Sequence, residues 1–430
     1  AQADSLVRRA WHVFQSRRLD ADHIQLLHPT AGWDADGDAL ADVDGPVGLA
    51  QLENAFENWS ADADKLTVYL IGETNAAGAF RLNDSEGLDP AVLSGWLNGY
   101  QAENRPANVI LEFSGSGSYL PALAAPAGRE RITIASAKAR EPGVWAANGE
   151  VSFTSAFLAH VFNGASVGAA FSAARQLMLD ASGAVKQQAQ LDDNGDGRSD
   201  VKSDTWRIAP ARYIGMPFLT GADIPQFTAV TPDFAVADGA EVGLWAGVAS
   251  LAVLDEVWCV VTPPDFEEGQ ELAPVPMEWK PATERYEATV ALNGHFGDHV
   301  ATYFARNVDG LEAIPIQSKI YLAVPDPYEV DDTAEQAGTF SVFGEQTHGF
   351  HSETDEDWVV FFASTSYVYQ IDTVHSNRNI DTALELEYQL PDGTFSNLVA
   401  YRDFNGTNEG ERITFQPEQN GFYYVRVYSG

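Results

Sequence analysis

The chain is poorest in cysteine, methionine and positive charge: 430 residues carry one Cys, three Met and 25 basic side chains against 62 acidic ones. The single Cys259 excludes an intramolecular disulfide framework. The shortage of Lys and Arg leaves a formal net charge of −37, which repels phosphate backbones and anionic surfaces. Nucleic acid is therefore not an expected partner. Long apolar runs are also missing. Stretches such as "VWCVVTPP" fall far short of the ~20 residues needed to cross a bilayer, so membrane insertion is not expected. The opening "AQADSLVRRAW" lacks a basic segment followed by an apolar one, so no signal peptide is expected there. The 45% hydrophobic and 11% aromatic content excludes global disorder. At ~150 residues per domain, about three domains are expected. An acidic surface without disulfides suits salty or calcium-containing surroundings, as for a secreted bacterial protein stabilised by calcium.

Residues 1–224 alternate helical and strand patterns. Val7, Trp11 and Phe14 share a helical face, "HIQLL" reads as a short strand, and Leu49, Leu52, Phe56 and Trp59 recur at helical spacing. "KLTVYLIG" and "NVILEF" are apolar strands flanking a helix that Asp89-Pro90 opens, and "RITIASA" is a further strand. Two helices follow, with Phe157 and Val161 on one and Val167, Phe171, Ala174 and Met178 on the next. Gly164 is placed as the C-cap between them. Apolar strands alternating with helices predict an α/β domain, a mainly parallel sheet covered on both faces. Residues 225–324 lose the helical period. "AEVGLWAGV", "DEVWCVVTPP", "RYEATVAL" and "HVATYFARN" predict an immunoglobulin-like β-sandwich. Residues 325–430 predict a second all-β sandwich from "DWVVFFA", "YVYQIDT", "ALELEYQL" and "FYYVRVYSG".

Two acidic loops repeat one spacing. "DADGDALAD" sets Asp34, Asp36, Asp38 and Asp42 at relative positions one, three, five and nine; "DDNGDGRSD" does the same with Asp192, Asn194, Asp196 and Asp200, adding Gly197 at position six. Calcium takes six to eight oxygens from a tightly turning loop, and alternate carboxylates supply them. The alternative is a solvated acidic turn. The expected role of bound Ca2+ is structural, pinning loops beside the sheet.

Ligands of open parallel sheets bind beyond the carboxyl ends of the strands. "LTVYLIG" and "VILEF" end just before Glu73 and Ser114, so these two positions are expected near each other at that edge. "KLTVYLIG", "LDPAVLSGWLNGY", "NVILEFSGSGSYLP", "GRERITIASA", "VSFTSAFLAHVFNGASVGAAFSAA" and "QLDDNGDG" together resemble a bacterial legumain-like cysteine peptidase of the caspase clan, over about residues 5–205. The resemblance implies a caspase-like three-layer fold with a His general base after the first strand and a Cys nucleophile after the second. This chain departs at both: Glu73 stands at the His position and Ser114 at the Cys position. A hydroxyl needs a base to lose its proton, and a carboxylate with a reference pKa of ~4.3 is a weak one. The dyad is thus read as degenerate, with Gly115 and Ser116 keeping the turn whose N–H groups could hold an anion or a carbonyl. Cys259, in a sandwich strand, reads as a buried hydrophobe. His160 reads as a packing histidine, His23 and His28 as surface residues, and no Gly-x-Ser-x-Gly elbow is centred on Ser114 or Ser116.

The last segment resembles the bacterial pre-peptidase C-terminal domain, on "PYEVDDTAEQA", "HGFHSETDEDWVVFFA", "IDTALELEY" and "GFYYVRV"; Asp331, Asp332, Asp355 and Asp357 could bind calcium as in some relatives, or form a solvated acidic edge. Relatives of the first domain begin with an apolar strand before the first helix, and this chain starts inside that helix. Either the sequence is a fragment or a neighbouring chain completes the sheet by strand pairing. The expectation is a secreted, cell-surface bacterial pseudo-peptidase: a calcium-stabilised scaffold, filament-forming or binding protein with a protein or peptide partner. The alternative is a calcium-dependent cysteine endopeptidase inactivated by the residues at 73 and 114.

Overall fold

A computed structural model describes residues 2–181, 183–199, 204, 207–217, 223–236, 241–267, 269–292, 297–322, 326–350, 355–374, 381–390, 398–403 and 410–429. The protein is multidomain and rich in β-sheet, with few helices. It divides into two compact units. The first is Ala1–Asp233 with Glu241–Ala291 and Asp298–Lys319; the second is Phe234–Ala240 with Leu292–Gly297 and Ile320–Gly430.

In the first unit, helix α1 (Gln2–Ser16) buries Leu6, Ala10, Trp11 and Val13, a spacing that puts one face against the core. "HIQLL" is not a strand. Its segment makes a 3-10 turn at Ala21–His23 and a single bridge, Leu27 to Gly45, because no neighbouring strand extends the ladder. Helix α2 (Leu49–Asn54) runs into a π-helical turn, Ala55–Trp59. Strand β1 (Leu66–Ile71) leads to a short hairpin of β2 (Phe80–Arg81) and β3 (Gly87–Leu88), and then to α3 (Pro90–Tyr100). Asp89 caps α3 by accepting from the Ala91 N–H at 2.8 Å, and Pro90 takes the first turn, where its missing N–H is harmless. Strands β4 (Ala107–Glu112) and β5 (Arg131–Ala135) follow, then α4 (Phe153–Phe162), α5 (Val167–Ala181) and β6 (Gln190–Asp192). Gly164, at φ 87°, ends α4 as the sequence implies, with the Ala165 N–H closing back on the His160 carbonyl at 3.0 Å.

The sheet order is β1-β4-β5-β6, with β1, β4 and β5 parallel and β6 antiparallel. Every residue of β4 and β5 is buried, as expected of strands covered on both faces. One apolar cluster, including Ile110, Ile132, Phe153, Phe157, Phe171 and Met178, lies under α1, α4 and α5. The other, including Leu93, Leu97, Val109, Leu111 and Phe113, lies under α3.

The same unit holds most of the middle sandwich. Strands β7 (Gln226–Val230), β9 (Glu241–Ala249), β12 (Glu278–Lys280) and β13 (Arg285–Ala291) form one sheet in the order β12-β13-β9-β7. Strands β10 (Leu254–Thr262), β11 (Val275–Pro276), β14 (Gly297–Asn307) and the start of β15 (Ile316–Leu322) belong to the other. Trp258, Val260, Phe266 and Phe304 join the core beneath α4 and α5, and Arg9 bridges Glu150 and Glu312. The sandwich is therefore packed onto the helical layer.

In the second unit the end of β15 pairs in parallel with β8 (Phe234–Val236). Its main sheet runs β16-β17-β22-β19-β20, from Gly338–Thr339, Glu356–Ala363, Gly421–Ser429, Thr382–Tyr388 and Ala400–Arg402. A second pair, β18 (Tyr369–Asp372) and β21 (Arg412–Phe415), closes over Phe361, Leu384, Leu386 and Tyr423.

Candidate functional site

Parallel pairing of β1 with β4 sets Ile71 opposite Glu112, and the Gly72 N–H donates to the Glu112 carbonyl at 3.1 Å. The segments after these strands leave the same edge of the sheet, as the sequence implies. Glu73 then turns to solvent, its side chain 67% exposed, and pairs with Arg81 at 2.8 Å. Ser114 Oγ accepts from the Gly143 N–H at 2.9 Å. That bond lowers electron density on the oxygen, the reverse of what a nucleophile needs.

The turn is closed by the loop that follows β5. Gly115, in the left-handed region at φ 73°, donates its N–H to the Glu141 carbonyl at 2.8 Å. The Ser116 N–H goes to the Phe113 carbonyl, and the Gly117 N–H to the Ala137 carbonyl at 2.8 Å. Ser116 Oγ, fully buried, exchanges bonds with the Ala137 backbone. The donors proposed from sequence for an anion or carbonyl are thus occupied by protein backbone. Tyr119 pins the far side, accepting from the Phe80 N–H at 2.7 Å and donating to the Leu88 carbonyl at 2.6 Å.

One residue here escaped the sequence reading. Glu112, the last residue of β4, is fully buried. Its Oε1 accepts from Trp145 Nε1 at 2.8 Å, and its Oε2 from the Thr154 N–H at 2.8 Å and Thr154 Oγ1 at 2.7 Å. Tyr69 donates to Thr154 Oγ1 at 2.8 Å. Burial raises the Glu112 pKa to about 6 while the bonds from Trp145 and Thr154 hold it down. A carboxylate ending a mostly apolar strand was the signal available in the sequence. Its position, directly under the Ser114 turn and at the start of α4, ties strand end to helix start.

The described histidines have other places. His12 stacks on Phe162, His23 pairs with Asp20 at 2.5 Å and His299 lies in β14. Burial lowers the pKa of His160, on α4. His28 is buried rather than on the surface, because its ring stacks on Trp33 at 4.4 Å and its Nδ1 accepts from the Thr30 N–H. Cys259 is fully buried in β10, with its thiol pushed up to about 12 by burial.

The two acidic loops share backbone geometry as well as spacing. Asp34 accepts from the N–H groups of Gly37 and Ala39, three and five residues on; Asp192 accepts from those of Gly195 and Gly197, at the same offsets. Asp36 and Asn194 each accept from the residue two ahead, as do Asp38 and Asp196. Gly37 and Gly197, at φ 85° and 76°, supply the left-handed turns. Ligand atoms of Asp34, Asp36 and Asp42 lie within 4.8 Å of one another; Asp38 is not in that group. Asp200 lies outside the described residues. The Gly37 and Ala39 N–H groups lower the Asp34 pKa, whereas burial raises that of Asp192 against its backbone donors.

A denser cluster stands in the second unit. Asp326, His348 and Asp357 form one group within 4.8 Å, and Glu329, Asp355 and Asp357 another. His348 Nδ1 is 3.3 Å from Asp357, 3.6 Å from Asp331 and 3.7 Å from Asp326, and its ring stacks on Tyr328. Both carboxylate oxygens of the buried Asp331 lack a hydrogen-bond partner. Burial, then the neighbouring carboxylates, raise Asp331 to about 7 against the opposing pull of His348. Burial lowers His348, but Asp357, Asp326 and Asp331 together raise it further. A divalent cation would satisfy these orphaned oxygens. Asp355 and Asp357, named from sequence, belong to these groups; Asp331 and Asp332 are in neither.

No family model matches the chain, and no curated protein matches it. Solved structures match weakly. The fibronectin(III)-like modules of Clostridium thermocellum CbhA show 16% identity over 23% of this chain and 96% of theirs, at a TM-score of 0.17. A cellulose-active LPMO, CelS2, in complex with copper shows 18% identity over 21% of this chain and 54% of its own, at 0.16. Chitinase ChiA74 from Bacillus thuringiensis shows 11% identity over 95% of this chain and 85% of its own, at 0.18. Among the described residues, no helix is long and apolar enough to cross a membrane.

Proposed function

We infer that this chain is a non-hydrolytic relative of the caspase-clan peptidases, acting outside the cell as a calcium-stabilised binding or scaffold protein. The observation that carries the reading is the state of the Ser114 turn. The hydroxyl accepts from the Gly143 N–H, the neighbouring donors are spent on the backbone of residues 113–141, and Glu73 is drawn out to Arg81. With Glu73 paired to Arg81 and the N–H groups of Gly115 and Ser116 bonded to backbone, neither the expected base position nor the expected oxyanion donors are available. A positioned base alone contributes about 10²–10⁴ in rate. Calcium fits the paired Asx-rich loops through their shared spacing and turn geometry, and the buried carboxylates around Asp331 through their unmatched charge. The net charge of −37 and the lack of disulfides suit a salty, calcium-bearing medium.

The test is a panel of fluorogenic peptides offered to the full chain with calcium and with chelator. No turnover is expected in either. Turnover that Ser114→Ala abolishes would overturn the reading.

A further inference from the structure

The sheet β12-β13-β9-β7 of the middle sandwich has one face that the core does not use. Along β9, Val242, Leu244 and Ala246 are buried, so Gly243, Trp245 and Gly247 fall on the opposite face. The register sets Trp245 beside Glu287, and Glu287 beside Glu278, in one cross-strand row. Gly243 and Thr289 make the next row, and Lys280 and Arg285 lie on the other side. With Pro276 these residues line a hollow of about 420 Å³. That is the lower part of the ~300–1,000 Å³ typical of small-molecule clefts, a size for a small ring compound rather than a folded partner.

The two glycines flanking Trp245 differ. Gly247 is a packing requirement: a Cβ there would lie 2.6 Å from Thr228 Oγ1, beside the bulge between Phe227 and Ala229. Gly243 has no such reason. An added Cβ would meet nothing within 4 Å, its φ is not left-handed, and the ladder runs unbroken through it from Val242 to Ala246. Glycine inside a regular strand lowers stability, and close approach of a ligand to the backbone is a physical reason to keep it. The wall beside it is pre-set. The Arg285 guanidinium lies 4.7 Å from the Trp245 ring centroid, and Arg285 Nε donates to Glu287 at 2.7 Å. Arg285 stands on the Gly247 side of Trp245, so the indole is held from that side and its Gly243 side faces the hollow. Glu278 and Lys280 pair at 2.7 Å. Each carboxylate thus has its cation, and the hollow is electrically balanced within a chain of net charge −37.

We propose that this hollow binds one neutral pyranose residue of a glycan, its C–H face against the Trp245 indole over Gly243 and its hydroxyls on Glu278, Glu287, Lys280 and Arg285. A pyranose joins an apolar face to a rim of hydroxyls, each a donor and an acceptor at once. Carboxylates only accept, and Lys and Arg only donate, so the two ion pairs offer both halves of what vicinal hydroxyls need. An anion would meet Glu278 and Glu287, and a cation Lys280 and Arg285, which leaves a neutral ligand. A purely apolar one would strip water from four charged groups without replacing their hydrogen bonds. The inference goes beyond the reading of the Ser114 turn and stands whether or not that turn is inert.

The test applies the fluorescently labelled full chain to an array of neutral, acidic and amino glycans, then titrates the captured oligosaccharides by calorimetry. Neutral pyranose glycans are expected, with saturation-transfer NMR marking the C–H protons of one ring face. Trp245→Ala should weaken binding about tenfold or more, as for the loss of an aromatic anchor. Gly243→Val fills the hollow and should abolish binding. It should leave the melting temperature equal or higher, because the new side chain enters open space and valine favours strands. If Gly243→Val fails to fold, the space is not open and the proposal falls; if Trp245→Ala is unstable, Gly243→Val alone decides. Each of the following overturns the proposal: no neutral glycan bound, preference for acidic or amino glycans, or equal binding by Gly243→Val. So does a folded Trp245→Ala that binds as wild type does.

Discussion

Glu112→Gln isolates the electrostatic state of the buried strand end. The carboxylate is fully buried and its pKa stands at about 6 against an ordinary value of 4.5, a shift due first to burial. A folded-state pKa above the unfolded one means the native protein binds more protons between pH 4.5 and 6. Stability from this group is fully present below the lower value and is lost as pH rises through the upper. At 1.36 kcal/mol per pK unit, the loss is about 2 kcal/mol. Glutamine does not titrate, so it abolishes that slope. Its amide donates where one Glu112 oxygen accepts, opposing Trp145 Nε1 or the Thr154 donors, at a pH-independent cost of about 1–3 kcal/mol. The stability of wild type minus that of Glu112→Gln should therefore fall by about 2 kcal/mol between pH 4 and pH 7. Urea denaturation of both proteins at matched pH reads this difference, and other titrations cancel within it. An offset constant across the range would refute the assignment of Glu112 as a desolvated acid.

The Asp331 cluster should behave in the same direction. With Asp331 raised to about 7 and His348 raised by its carboxylates, the second unit loses stability as pH climbs from about 4 through 7. The full shift is worth about 4 kcal/mol, which pairing and screening reduce to about 1–2 kcal/mol. Calorimetry should show Ca2+ restoring this at pH 8 in wild type but not in Asp331→Asn. Calcium at a hundredfold over its Kd should stabilise the first unit by about 2.7 kcal/mol for each loop it fills, with Asp34→Ala and Asp192→Ala together removing the shift in melting temperature. Gly117→Ala places a methyl within 2.9 Å of the Ala137 carbonyl oxygen and the Ala139 nitrogen, both backbone, so thermal denaturation should show a loss of about 1–3 kcal/mol.

Local chemistry made several elements legible. The apolar runs of β1, β4 and β5 could satisfy neither a helical stripe nor a solvated face, and Asp89-Pro90 and Gly164 carry their own helix-end geometry. "HIQLL" misled because its apolar side chains line a groove while its backbone pairs only at Leu27. His28 reads as exposed until Trp33 covers it. Glu112 was hidden at the end of a mostly apolar strand because Trp145 and Thr154 arrive from later elements.

The residue types at 73 and 114, and the acidic loops whose Asx turns bond two to five residues ahead, were set by sequence alone, since those interactions are short-range. Packing decided the rest: that residues 137–143 occupy the donors and acceptors of the Ser114 turn, and that Glu112 keeps its proton to about pH 6. Desolvation and long-range hydrogen bonding depend on groups dozens of residues away, and only the assembled chain brings them into contact.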